Sequence, residues 1–262
     1  MRKTLSFIAL VFFTLTIGAQ DRFRIMSLNM DQGQDNTLDS IACFILKYNP
    51  DVVGLQEMDM YPNRSYAEHE KGRNFIAEMS EYTSMYGIFG RAWRHTGGWD
   101  YGNAVLSKNT FVKTENIILP HFGLETRGVI MSFFDFKDKR ICFASTHLNY
   151  ENKDIREAQI KYLKEVLERQ EADIKIVCGD FNSNEKGFVL SLMDGWQDAL
   201  PKNENTFSSK ENFYKKMKLD YILYKSVLPI KVINADIICD PSITDHCACF
   251  AELEFPNISI PK

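Results

Sequence analysis

Several catalytic signatures are missing from the sequence. There is no Gly-x-Ser-x-Gly turn, no Gly-rich loop ending in Gly-Lys-Ser/Thr and no His-Glu-x-x-His helix; His69-Glu70 lacks the second histidine. Serine-hydrolase, P-loop and zincin chemistry are thereby set aside. The cysteines (Cys43, Cys142, Cys178, Cys239, Cys247 and Cys249) form no Cys-x-x-Cys and no Cys/His zinc spacing. Most lie in apolar, strand-like surroundings and read as small buried hydrophobes. The alternative is a disulfide of Cys239 with Cys247 or Cys249. No Pro/Gly/Ser-rich stretch, charge block or low-complexity segment divides the chain, so one domain is expected.

Long apolar runs are scarce too. The one at the N-terminus, Leu5 to Ile17, follows Arg2-Lys3 and ends at Gly18-Ala19. It is shorter than the ~20 residues a spanning helix needs and ends in small residues, the pattern of a cleaved signal peptide over residues 1–19. No Cys follows the run, which argues against lipidation there. Removing residues 1–19 from the 262 leaves 243, enough for a full hydrophobic core and an exported, periplasmic or extracellular domain over 20–262. Loss of Arg2 and Lys3 takes the balance from 31 basic and 35 acidic residues to 29 and 35. An acidic surface disfavours nonspecific binding to long nucleic acids, whose phosphates demand clustered Lys and Arg. A monomer is expected.

What is present alternates between strand and helix patterns. Phe23 to Asn29 reads as a strand; Leu38, Ile41, Ala42, Ile45 and Leu46 recur at helical spacing until Asn49-Pro50. Asp51 to Gln56 is short and nearly all apolar, as in a strand buried on both faces. The second half repeats the plan with strand Arg140 to Thr146, helix Ile155 to Leu167 and strand Ile174 to Cys178. Between the halves lie strands at Gly102 to Ser107, Phe111 to Leu119 and Gly128 to Phe136. A short helix is expected over Glu185 to Met193. Leu219 to Tyr224, Ile230 to Ile238 and Cys247 to Phe255 complete the chain. Two strand-helix-strand halves with extra antiparallel strands suggest two sheets packed face to face with helices outside.

Polar residues fall where these strands end. Asn29, Gln56-Glu57, His147 and Asp180-Phe181-Asn182 follow strands, Asp220 opens one, and Asp245-His246 lies in the loop entering the last. Charged groups are costly in a core unless paired or metal-bound, so acids and amides at one end of a sheet stack should line a shared cleft. Locally, Asp180-Phe181-Asn182 also reads as a simple Asx turn. Glu57, Asp245 and the Asn29 oxygen are hard ligands suited to Mg²⁺ or Mn²⁺. Asp180 and Asn182 could orient a water, and Asp220 with His246 forms a candidate acid–histidine pair.

The ordered segments Ser27-Leu28-Asn29, Leu55-Gln56-Glu57, Tyr101 to Ser107, Glu125-Thr126-Arg127, Thr146-His147-Leu148, Gly179 to Asn182, Leu219 to Ile222 and Thr244-Asp245-His246 resemble the endonuclease/exonuclease/phosphatase superfamily. The resemblance spans nearly all of the chain after residue 19. It implies a four-layer α/β sandwich of two mixed sheets with helices outside, and one or two Mg²⁺ (or Mn²⁺) ions near Glu57 and Asn29. It also implies that Asp180 positions or deprotonates the nucleophilic water while Asn182 helps hold the phosphate. His246, oriented by Asp220, would stabilise the transition state or protonate the leaving group. Asp245 would sit on the metal or its water, His147 on a phosphate oxygen, and Arg127 and Asn103 near the substrate. Some relatives pair the first histidine with a carboxylate, for which Glu125 is the candidate here.

The substrate is less legible. Phe89 to Tyr101 carries Trp93, Trp99, Arg91 and Arg94 and reads as a loop, with Trp99 either a stacking platform or a pin holding the loop to the body. Arg64 to Arg73 could add a rim. The expected activity is an exported phosphodiesterase or phosphatase. The alternatives are an extracellular nuclease, a sphingomyelinase-like phospholipid hydrolase and a catalytically inactive binding module.

Overall fold

In a computed structural model of the chain, residues 21–34, 36–64, 68–185, 187–201, 204–207 and 217–255 are described; the proposed signal peptide lies outside them. The first half runs β1 (Asp21–Asn29), α1 (Leu38–Lys47), β2 (Val52–Met60), α2 (Phe75–Thr83), β3 (Tyr86–Arg94), β4 (Asp100–Ser107) and β5 (Lys113–Ile118). Next come β6 (Gly128–Phe136), β7 (Lys139–His147), α3 (Lys153–Glu168), β8 (Ile174–Asp180), α4 (Phe188–Leu192) and β9 (Gln197–Asp198). The chain closes with β10 (Asp220–Ser226), β11 (Lys231–Ile238) and β12 (Ala248–Phe255). One sheet has the order β11-β12-β1-β2-β4-β3, the other β5-β6-β7-β8-β10-β9. Each is mixed, because β1–β2 and β7–β8 pair in parallel through a helical crossover while the other pairs are antiparallel.

Side-chain alternation explains the layering. In β1, Phe23 and Ile25 face a core between the sheets that they share with Phe134, Phe143, Ile176 and Leu253. Met26 and Leu28 face the other way, onto Leu38, Ile41 and Ile45 of α1 and Phe75 and Met79 of α2. Ile160, Leu163 and Leu167 of α3 and Val189 of α4 cover the second sheet in the same manner. The result is the expected four-layer α/β sandwich. Gly54 lets the sheets approach: a Cβ there would sit 2.3 Å from Cys178 Sγ. Gln56 Nε2 donates to Ser145 Oγ (3.0 Å) and Ser145 Oγ to Leu55 O (3.0 Å), tying the two sheets together just below the strand ends.

Three readings of the sequence need correction. The stretch read as a loop from Phe89 to Tyr101 is mostly sheet, since β3 runs to Arg94 and β4 starts at Asp100. β3 is an edge strand with half-exposed residues and two glycines, so it lacks a clean apolar alternation. The helix expected over Glu185 to Met193 spans only Phe188–Leu192, preceded by Gly187 in a left-handed conformation. Cys239 and Cys247 form a disulfide, whereas Cys142, Cys178 and Cys249 are the buried thiols expected and Cys43 is exposed.

Candidate active site

The topology brings the polar residues together. The C-terminal ends of the parallel strands point the same way, so Asn29 stands opposite Gln56 and His147 opposite Asp180. Antiparallel β10 begins at that edge, which sets Asp220 opposite Asp180 in register. A bulge between Leu55 and Met58 breaks the β2–β4 pairing, and Glu57 within it has a φ of +56°. Bulges of this kind re-aim a side chain, here into the cleft. The cleft has a volume of about 600 Å³, and its lining includes Glu57, His147, Asp180, Asn182, Asp245 and His246.

One oxygen sits at the centre. Asp180 Oδ1 accepts from the Asn182 backbone N–H (2.8 Å), the Asx turn foreseen from sequence. Asp180 Oδ2 faces Asn29 Nδ2 at 3.4 Å, His147 Nε2 at 3.5 Å and His246 Nε2 at 3.6 Å. Burial, then the Asp220 carboxylate, push the Asp180 pKa up to about 7, against the pull of His246. Asn182 uses its own amide Nδ2 to donate to Leu148 O (3.0 Å), bracing the turn against the segment after β7.

The two histidines have opposite surroundings. His246 Nδ1 lies 2.9 Å from Asp220 Oδ2. Burial disfavours its charge, but Asp220, Asp180 and Asp245 outweigh that and raise its pKa to about 10. His147 is held well below the ordinary histidine range by burial, by Arg127 and by His246. Its loop partner is not Glu125: Arg127 Nη1 lies 3.0 Å from His147 Nδ1, and Glu125 Oε2 accepts from Arg127 Nη2 (3.1 Å).

Two expected roles change with the geometry, and for Trp99 one of its two readings is favoured. Asn29 Oδ1 accepts from the Asp31 backbone N–H (3.0 Å), so its amide turns Nδ2, not its oxygen, toward Glu57 Oε1 (3.0 Å). Asn103 is buried and donates to Gly128 O (2.8 Å), bridging the sheets away from the cleft. Trp99 is also buried, stacked on His95 with ring centroids 3.7 Å apart, and pins the turn instead of offering a platform. Trp93 and Arg64 do line the cleft, as does Tyr101 from the Tyr101 to Ser107 segment, together with Tyr150 and Arg156, which the sequence did not single out. Only the three-dimensional arrangement marks them, since aromatic and arginine side chains are common on ordinary surfaces.

The chain belongs to the Endonuclease/Exonuclease/phosphatase family, whose profile matches residues 26–246. Enzymes of this family are phosphoester hydrolases that generally depend on a divalent metal. Among solved structures, the chain is similar to an endonuclease/exonuclease/phosphatase from Beutenbergia cavernae (17% identity, 90% of this chain and 72% of that one, TM-score 0.72). It also resembles D. rerio TDP2 complexed with single-strand DNA product (17%, 88% and 98%, 0.67). A third is a mannosyl-6-phosphatase from Bacteroides thetaiotaomicron (16%, 88% and 99%, 0.65). A search of curated proteins finds no match.

The donor set fits a divalent cation. Four carboxylates, Glu57, Asp180, Asp220 and Asp245, converge on one edge, and Arg127 there is already paired with Glu125. Asp180, Asp220 and His246 place three potential ligand atoms within 4.8 Å. Carboxylate oxygens are hard donors of the kind Mg²⁺ and Mn²⁺ take, and Glu57 and Asp245 bring theirs to the same cleft.

Proposed function

We propose that this protein is an exported phosphoester hydrolase that attacks a small phosphate ester with a water positioned by Asp180, with Mg²⁺ or Mn²⁺ held by Glu57 and Asp245. The observation that carries this reading is the single carboxylate oxygen, Asp180 Oδ2, ringed by Asn29, His147 and His246. A carboxylate raised toward neutrality can take a proton from water at working pH. His246, kept cationic by Asp220, offers Nε2–H to charge growing on the phosphoryl or leaving oxygen. Asn29 holds the Glu57 carboxylate in place instead of serving as a ligand. The bound metal would supply positive charge to the same oxygens. The cleft's modest volume and the acidic balance of the chain favour a small ester over a long polyanion.

The test is product release by purified residues 20–262 from bis-p-nitrophenyl phosphate, p-nitrophenyl phosphate, plasmid DNA, sphingomyelin and inositol phosphates, with Mg²⁺, Mn²⁺ or EDTA. Turnover that needs metal and falls by about a thousandfold or more in Asp180→Asn supports the reading. A folded protein inert on every member would favour the binding-module alternative, and an active Asp180→Asn variant would remove Asp180 from its role.

A further inference from the structure

The ring nitrogens of the two cleft histidines meet opposite partners. At His246 the Nδ1 atom faces a carboxylate, Asp220 Oδ2 at 2.9 Å, so Nδ1 carries a proton. At His147 the same atom faces two donors, Arg127 Nη1 at 3.0 Å and the Tyr101 hydroxyl at 3.3 Å. A guanidinium has five N–H groups and no acceptor, so His147 Nδ1 must present its lone pair. The single proton of the neutral ring then lies on Nε2, the atom directed at the cleft floor, 3.5 Å from Asp180 Oδ2. The nearest carboxylate to Nδ1 is Glu57 Oε1 at 4.0 Å, beyond hydrogen-bond reach.

Arg127 is itself fixed. It is 3% exposed, Glu125 Oε2 accepts from its Nη2, and its guanidinium lies 5.9 Å from the Tyr101 ring centroid and 6.0 Å from that of Tyr150. Arg127 Nη1 also lies 3.4 Å from the Tyr101 hydroxyl. Arg127 therefore turns Nη1 and Nη2 toward its neighbours, while its Nε is buried without a hydrogen-bond partner.

We propose that Arg127 and Tyr101 are positioning residues that lock His147 as a neutral Nε2–H donor for a phosphoryl oxygen, with Glu125 aiming the guanidinium. The donor's target rests on the phosphoester reading; the tautomer does not. The two histidines are thus wired in opposite senses, His246 as an imidazolium backed by a carboxylate and His147 as an imidazole backed by a guanidinium. An imidazole locked this way gives a phosphoryl oxygen a directional hydrogen bond without acting as an acid.

The measurement is a long-range ¹H–¹⁵N correlation spectrum of residues 20–262 labelled in histidine, at pH 7 and without metal. His147, assigned from the spectrum of His147→Gln, is expected as the Nε2–H tautomer. Arg127→Lys, which keeps a donor at the position, should preserve that tautomer. Arg127→Met combined with Tyr101→Phe should give a mixture of tautomers, and KM for the hydrolysed ester should rise roughly tenfold with a smaller change in kcat. Addition of inorganic phosphate should shift the Nε2–H signal in the wild type. An Nδ1–H tautomer or an imidazolium at His147 in the wild type would overturn the inference, and so would a pure Nε2–H form in a folded double variant. A wild-type protein with the expected tautomer that hydrolyses no ester would leave the wiring standing and sink only the functional reading.

Discussion

Burial ordinarily drives charge off a side chain, and in this cleft it competes with neighbours whose sign decides the outcome. For His246 the neighbours win, because Asp220 touches the ring and Asp180 and Asp245 stand close. A histidine whose folded pKa lies above its unfolded value contributes stability that is complete below about pH 6.5 and is lost as pH rises through the folded value. The folded value is about 10, so the gap in unfolding free energy between wild type and His246→Gln should be widest near pH 6 and close between pH 7 and 10. Urea melts of metal-free protein across that range would show it; a gap that stays constant would mean the imidazolium is not held. Asp220→Asn should bring the His246 titration, followed by NMR, down to the ordinary range or lower. The sequence showed that acids and histidines cluster at strand ends, because charged residues next to apolar runs stand out. It did not show how Arg127, Tyr101 and His147 interlock, since hydrogen-bond partners from different strands leave no local pattern. Trp99 and Asn103 carried the right chemistry but point away from the cleft, a matter of side-chain direction that spacing alone does not give.

Elements set the precision of this arrangement through a few backbone positions. Gly179 has a φ of +140°, and a Cβ there would sit 1.9 Å from Thr146 O, backbone that cannot swing aside. It precedes Asp180 directly, so the close β7–β8 approach fixes where the carboxylate emerges. Gly179→Ala should cost about 3–5 kcal/mol through backbone strain and overpacking, read as a lower urea midpoint. An unchanged midpoint would mean that the strands can part without cost. The Cys239–Cys247 disulfide closes the loop that holds Asp245 and His246, and Thr244 Oγ1 donates to Asn29 O (2.9 Å) to anchor the same loop across the cleft. Replacing both cysteines by serine should remove about 2–3 kcal/mol of stability, as loop-closure entropy gives for so short a ring. It should also lower kcat by loosening His246. Equal kcat in both proteins would limit the disulfide to a stabilising role. Its existence was only an alternative in the sequence, because cysteines in apolar strands look the same whether paired or free. Most strands were legible because their apolar runs are bounded by turns. The edge strand β3 and helix α2 were not, lacking a strong alternating or helical apolar pattern.

Across the whole molecule, the sandwich persists between chains only 16–17% identical, because layered burial tolerates many side chains of similar volume. What the scaffold must keep is the edge where the strands end, and there the excess of carboxylate over cation leaves the metal-free fold with internal repulsion. A divalent ion binding only the folded state relieves it and stabilises by RT ln(1 + [L]/Kd), about 2.7 kcal/mol at a hundredfold excess over Kd. For a domain of this size that is a rise in Tm of roughly 5–10 °C. Thermal unfolding of residues 20–262 with EDTA and with saturating Mg²⁺ or Mn²⁺ should show the rise. Glu57→Gln should abolish most of it, and Asp39→Asn, on the outer surface of α1, should retain it. An identical rise in wild type and Glu57→Gln would take Glu57 out of the metal site and shift attention to the Asp180, Asp220 and His246 group, whose donor atoms lie within 4.8 Å.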